Sequence, residues 1–226
     1  NEEMPDKAPV LVDLRETAEI EKDGYIKGAI NIPVRQLLKN LDKLPVLDDA
    51  IVVYCASGIR GGIAVPVLRA LGYTNVRSLS GGMGAWKKAE LPAETGLPAE
   101  AAKISTPIVE NEQLFIMLDE FLSNMPDGYY LVDAAGLSEA LASGTAPTLI
   151  DVRSVDEWNK DGYIEGAINI PLPEFMANLD KLPADKATPI VVYCGVGYRG
   201  ATALPILHVM GYTNVTNLKG GMGAWK

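Results

Sequence analysis

The chain has 226 residues, 48% of them hydrophobic and 22% charged, with a formal net charge of −9. That length suits two small domains that each bury a core, and the negative field argues against nucleic acid or an anionic membrane as partner. Two cysteines are too few for a disulfide framework, and with a single histidine they make no structural zinc site, so neither metal nor cofactor is indicated.

Taken in chain order, Val10–Asp13 is an apolar run ending in aspartate, the pattern of a strand buried on both faces. Arg15 follows Asp13 by two positions, and the two are expected to form a buried hydrogen-bonded pair at the strand end. A second buried strand is expected at Ile51–Tyr54, delivering Cys55. Residues 60–71 have helical spacing, with Gly72 as a C-cap candidate. Residues 76–79 read as a short strand. Residues 81–88 read as a permissive glycine turn leading into a short helix, with Trp86 as a core anchor. Residues 90–106, rich in Pro, Ala and Glu, read as a linker. Residues 110–124 align Leu114, Met117, Leu118, Phe121 and Leu122 on one face of an amphipathic helix. This helix is expected to clamp two domains or to cap the first, with packing on the second as the alternative.

The chain then repeats itself. Asp151 and Arg153 answer Asp13 and Arg15, and GYIEGAINIP from Gly162 answers GYIKGAINIP from Gly24. GYTNV recurs at Gly72 and Gly211, and GGMGAWK at Gly81 and Gly220. A lead-in at residues 128–144, with a strand candidate at 129–132 and a helix through 137–141, has no counterpart before the first strand. That edge of the first sheet therefore calls for some other cover. The domains are placed at residues 1–90 (N-terminally short) and 128–226, with 91–127 a linker carrying the amphipathic helix. Strands alternating with helices predict an α/β fold, two duplicated domains each with a mainly parallel sheet flanked by helices. His208, without a counterpart in the first copy, reads as an ordinary helix residue. No apolar stretch is long enough to span a bilayer. No secretory segment is visible at the N-terminus, and the compartment stays open between cytoplasm and periplasm.

Both cysteines fall on one repeat position, each opening a small-residue loop closed by arginine: Cys55-Ala56-Ser57-Gly58-Ile59-Arg60 and Cys194-Gly195-Val196-Gly197-Tyr198-Arg199. A buried strand delivers each cysteine to the carboxyl end of a sheet, where ligand sites of open α/β folds lie. The small residues let successive N–H groups turn inward as an anion nest, and a helix start aims its N-terminal amides at the same place. Such surroundings favour a thiolate nucleophile. One such cysteine would read as a small buried hydrophobe ending a strand. Two at identical spacing point to chemistry. Ser57 could donate to the sulfur, but Val196 in the second copy shows that a shared mechanism cannot need it.

These loops, the DLR and DVR strands, the GAINIP segments and the GGMGAW segments resemble the tandem rhodanese-domain proteins, the rhodanese-like sulfurtransferases. The resemblance implies that Cys55 and Cys194 take a sulfane sulfur as persulfides and pass it to cyanide or a thiol, with a protein acceptor a further option. It implies a small sulfur-containing anion as donor, such as thiosulfate or mercaptopyruvate. The amides of residues 56–60 and 195–199 would hold the persulfide, while Arg60 and Arg199 would attract the donor and close the loop. Many thiosulfate-using members carry basic residues after the cysteine, where this chain has Ala56-Ser57 and Gly195-Val196; a frequent histidine before the GAINIP-like segment is Tyr25 or Tyr163 here. Four residues separate Cys from Arg, against five in cysteine phosphatases, so the loop is sized for sulfur rather than phosphate. A non-catalytic binding or sulfur-carrier protein is the competing reading. A redox pair of the two cysteines would need their Cα atoms within about 7 Å.

Overall fold

The computed structural model describes residues 8–107 and 109–226, and the chain divides into two compact units, Asn1–Asn124 and Met125–Lys226. In the first, β1 (Val10–Asp13), β2 (Ile30–Asn31), β3 (Ile51–Tyr54) and β4 (Val76–Ser78) form one parallel sheet in the order β2-β1-β3-β4. Helices α1 (Thr17–Asp23), α2 (Ile59–Ala70) and α3 (Gly82–Lys88) connect or follow these strands. Two 3-10 segments, Val34–Gln36 and Leu38–Lys43, lie between β2 and β3. The central strands β1 and β3 register Val12 against Val53 and Asp13 against Tyr54, all four fully buried. Burial on both faces explains why these strands read as unbroken apolar runs.

In the second unit, β5 (Leu131–Val132), β6 (Thr148–Asp151), β7 (Ile168–Asn169), β8 (Ile190–Tyr193) and β9 (Val215–Leu218) form a parallel sheet in the order β5-β9-β8-β6-β7. Helices α5 (Ala134–Ala142), α6 (Val155–Asp161), α7 (Tyr198–Val209) and α8 (Gly221–Trp225) accompany it, with a 3-10 stretch at Leu172–Lys181. One core layer gathers Ile150, Val192, Cys194, Phe175 and Leu207; the other gathers Leu149, Tyr193, Leu218 and Met222.

The amphipathic helix, α4 (Glu112–Ser123), is capped by the Asn111 side chain, which accepts from Leu114 N at 2.9 Å. It buries Leu118, Phe121 and Leu122 and packs on the 3-10 segments of the first unit. It does not take the place beside β4 that β5 takes beside β9; among the described residues, β4 ends its sheet. The linker is tied down too: Glu94 makes an antiparallel bridge with Tyr25, and Ile104 N donates to Asp42 O at 2.8 Å. The strand expected at 129–132 is shorter than its sequence suggests, because Tyr129 and Tyr130 adopt left-handed backbone angles and pairing starts at Leu131. Helix α1, strands β2 and β7 and the 3-10 segments were not legible as separate elements; they are two to ten residues long.

Candidate active site

Each cysteine lies just past the carboxyl end of a central strand, β3 or β8, and both are free and buried. The chain then turns so that the N–H of Gly58 donates to Cys55 Sγ at 3.1 Å, and that of Gly197 to Cys194 Sγ at 3.1 Å. These glycines have φ of 99° and 100° and stand as N-caps of α2 and α7. A side chain there would strain the turn that aims the amide at sulfur. Among the loop amides expected to face the sulfur, those of Gly58 and Gly197 donate to it. Ala56, Ser57 and Val196 are exposed, Gly195 and Tyr198 partly buried, and Ile59 buried.

The glycine-rich segment after β4 and β9 grips the loop from outside. Met83 N donates to Cys55 O at 2.7 Å and Gly84 N to Ala56 O at 2.9 Å; Met222 and Gly223 do the same for Cys194 and Gly195 at 2.7 and 2.9 Å. A Cβ on Gly82 or Gly221 would fall closer to the cysteine carbonyl oxygen than real Cβ atoms come. These glycines are thus more than permissive turns: they let one backbone press against another. Trp86, expected as a core anchor, and Trp225 at the same repeat position are only partly buried, packed against the clusters that include Met83 and Met222. Trp86 donates its indole N–H to Pro92 O at 2.9 Å.

The loop arginines have partners that the sequence reading missed. Arg60 forks onto Glu19 at 2.6 and 2.7 Å, and Arg199 onto Glu157 at 2.6 Å twice. Their charge is therefore already engaged by a carboxylate. Hydrogen bonds from Arg199 pull the Glu157 carboxyl down to about 2. Burial pushes Glu19 up, but bonding and charge from Arg60 outweigh it and leave the group below its ordinary range. The signal was present: both glutamates share a repeat position, three residues after Glu16 and Ser154, and Ser154-x-x-Glu157 is a capping box.

Below the loop, Asp13 and Arg15 form the expected buried pair, with Arg15 Nε to Asp13 Oδ1 at 2.9 Å and Arg15 Nη2 to Gly24 O at 2.7 Å. Asp151 and Arg153 repeat it, with Gly162 O accepting at 2.7 Å. Tyr54 and Tyr193, the residues before the cysteines, accept from Ile26 N and Ile164 N at 3.1 and 3.2 Å. Tyr163 stacks on Trp158 with ring centroids 3.9 Å apart. His208 sits partly buried in the last turn of α7.

The Rhodanese-like domain family profile matches residues 1–89 and 133–226. A "Thiosulfate sulfurtransferase" of Corynebacterium glutamicum is 29% identical over 210 residues, covering 79% of this chain and 64% of that protein. A "Sulfurtransferase" of Allochromatium vinosum is 33% identical over 94 residues, covering 42% of this chain and 85% of its own length. Among solved structures, the 3-mercaptopyruvate sulfotransferase SseA of Escherichia coli is 22% identical, covering 97% of this chain and 93% of that one, with a TM-score of 0.42. The chain spans just under two thirds of the Corynebacterium relative's length. With two parallel-sheet units carrying one cysteine loop each, this chain belongs to the rhodanese-like domain family and contains that domain twice.

Proposed function

We propose that this protein is a sulfurtransferase in which Cys55 and Cys194 each carry a sulfane sulfur from a small anionic donor to a thiol or cyanide. The observation that carries this reading is the geometry at sulfur: in both copies a glycine N–H donates to Sγ at 3.1 Å from a helix N-cap. That arrangement favours negative charge on the sulfur and on the atom that joins it. With thiosulfate, the cysteine thiolate attacks the outer sulfur; the sulfur–sulfur bond of the donor breaks and sulfite leaves with its electron pair. An acceptor nucleophile then attacks the outer persulfide sulfur, and the cysteine departs as thiolate. The carboxylate-held Arg60 and Arg199 close the loop and present a fixed guanidinium edge beside it, the backbone amides of residues 56–60 and 195–199 forming the cradle. The name of the Corynebacterium relative supports thiosulfate as the donor to try first.

The test is peptide mass spectrometry after thiosulfate, and separately after 3-mercaptopyruvate, then cyanide. One added sulfur on the Cys55 and Cys194 peptides, lost as thiocyanate forms, is expected. Cys55→Ser and Cys194→Ser should each abolish loading at their own site, and the double variant should have no activity. Sulfur on neither cysteine with either donor would overturn the reading in favour of a binding or carrier protein.

A further inference from the structure

The two loops are alike, but the ground beside them is not. In the second unit a cleft of about 440 Å³ opens next to Arg199, between the start of α6 and the Pro171–Glu174 turn. That volume is in the range of organic-ligand pockets and far exceeds what thiosulfate or cyanide needs. Its walls include Val155, Leu172 and Pro173, and Ser154, Asp156 and Glu174 supply its polar groups. The cleft reaches the chemistry through Arg199, whose Nη2 lies 3.7 Å from where a Cβ on Gly195, next to Cys194, would stand.

The first unit carries different residues at each decisive position. Ser154 and Pro173 correspond to Glu16 and Arg35, and Arg35 Nη1 bonds Glu16 Oε1 at 3.0 Å, so an ion pair joins the two positions that line the cleft in the other copy. Asp156 and Glu174 correspond to Ala18 and Gln36, which removes both acidic groups. The lining and its charge therefore differ between the two copies.

We propose that the cleft beside Arg199 is an acceptor site for a bulky, positively charged thiol with an apolar body, and that the Arg35–Glu16 pair closes the matching site in the first unit. The apolar walls take the body, and Asp156 and Glu174 take the cation. The acceptor gives up its thiol proton to solvent, and its thiolate sulfur attacks the outer sulfur of the Cys194 persulfide. The sulfur–sulfur bond to Cys194 breaks with its electron pair returning to Sγ, and the acceptor leaves as its own persulfide. No oxidant or reductant enters. Cyanide, needing no cleft, discharges both sites.

The proposal rests on the sulfurtransferase reading, and the experiment separates the two. The full chain is loaded with thiosulfate and chased with cyanide or with N-benzyl-2-aminoethanethiol, and each cysteine peptide is followed by mass. The aminothiol-to-cyanide rate ratio should be at least about fivefold higher at Cys194 than at Cys55. Glu16→Ser with Arg35→Pro should raise the ratio at Cys55, and Asp156→Ala with Glu174→Gln should lower it at Cys194 for the aminothiol but not for neutral 2-(benzyloxy)ethanethiol. Equal ratios at the two cysteines, or ratios indifferent to these exchanges, would overturn the proposal. If neither cysteine loads, the sulfurtransferase reading fails and the cleft is tested by alkylation. A benzylammonium iodoacetamide, compared with iodoacetamide itself, should then still favour Cys194 over Cys55 about fivefold, and no preference would overturn it.

Discussion

Glu157 holds Arg199 between its two carboxylate oxygens at 2.6 Å each, so the cation that ends the second cysteine loop is fixed from a different helix. The first copy does the same with Glu19 and Arg60. A fork of this kind fixes direction as well as distance, which a lone lysine cannot do. Glu157→Gln should therefore slow sulfur loading of Cys194 by about tenfold, a loss of about 1.4 kcal/mol in the barrier. Cys55 in the same molecule serves as the internal control. Loading of Cys194 at the parental rate would mean that Arg199 needs no anchor.

The same carboxylate predicts an acid response. Hydrogen bonds from Arg199 hold the Glu157 carboxyl down at about 2, well below the ordinary carboxylate range, so the folded state binds its proton less readily than the unfolded chain. A depressed carboxylate stabilises fully above the unfolded value, and its contribution fades as pH falls toward the folded one. The stability gap between the parent and Glu157→Gln should thus be constant from about pH 5 to 7 and shrink between about pH 4.5 and 2. Because the side chain keeps 35% exposure, the gap itself should be small. Urea midpoints of both proteins across this range measure it; a gap that widens on acidification would contradict the assignment.

Gly221 and Gly211 separate collision from backbone strain. Both have positive φ, 56° and 88°, but a Cβ on Gly211 meets nothing within 4 Å, while one on Gly221 strikes the Cys194 carbonyl. Gly211→Ala should cost about 1–2 kcal/mol, and Gly221→Ala more than about 3 kcal/mol with loss of the Met222 grip on the loop. Amide hydrogen exchange in β8 and β9 would register the difference. Equal protection in the two variants would rule out the close approach as the reason for glycine.

The Asp151–Arg153 pair is fully enclosed. Asp151→Asn leaves a buried guanidinium without its carboxylate and should destabilise the second unit by about 3–5 kcal/mol. Replacing both residues with apolar ones of similar size should cost much less, because no charge is left stranded. Hydrogen exchange in β6 of the single and double variants tests this.

What the sequence displayed clearly were features carried by many residues or by repetition. The central strands read correctly because two-sided burial writes continuous apolar runs at Val10–Asp13 and Ile51–Tyr54. The Asp13–Arg15 pair was legible from its place at a strand end. Helix α4 was legible from its period, but not the surface it covers, since an apolar stripe does not name its partner. The glutamates holding Arg60 and Arg199 were missed because 41 and 42 positions separate them from the arginines, and only the fold brings them together. Trp86 and Trp225 pack against the cores only in part: ring size predicts large buried area, yet a place at a cluster margin satisfies it.

Among the described residues every strand pairing in both sheets is parallel, so none can form by a local hairpin; even the neighbours β1 and β3 close a long loop before they meet. Such topologies fold slowly. The chain compounds this by carrying the same four residues, IVVY, in both β3 and β8, so in an unfolded molecule either central strand can meet the partners of the other. Synthesis resolves the ambiguity in time: the first sheet is complete in sequence by Ser78, more than fifty residues before β5 begins at Leu131. Dilution from denaturant presents all copies at once. The order of emergence from the ribosome thus separates the two copies in time, which refolding from denaturant does not.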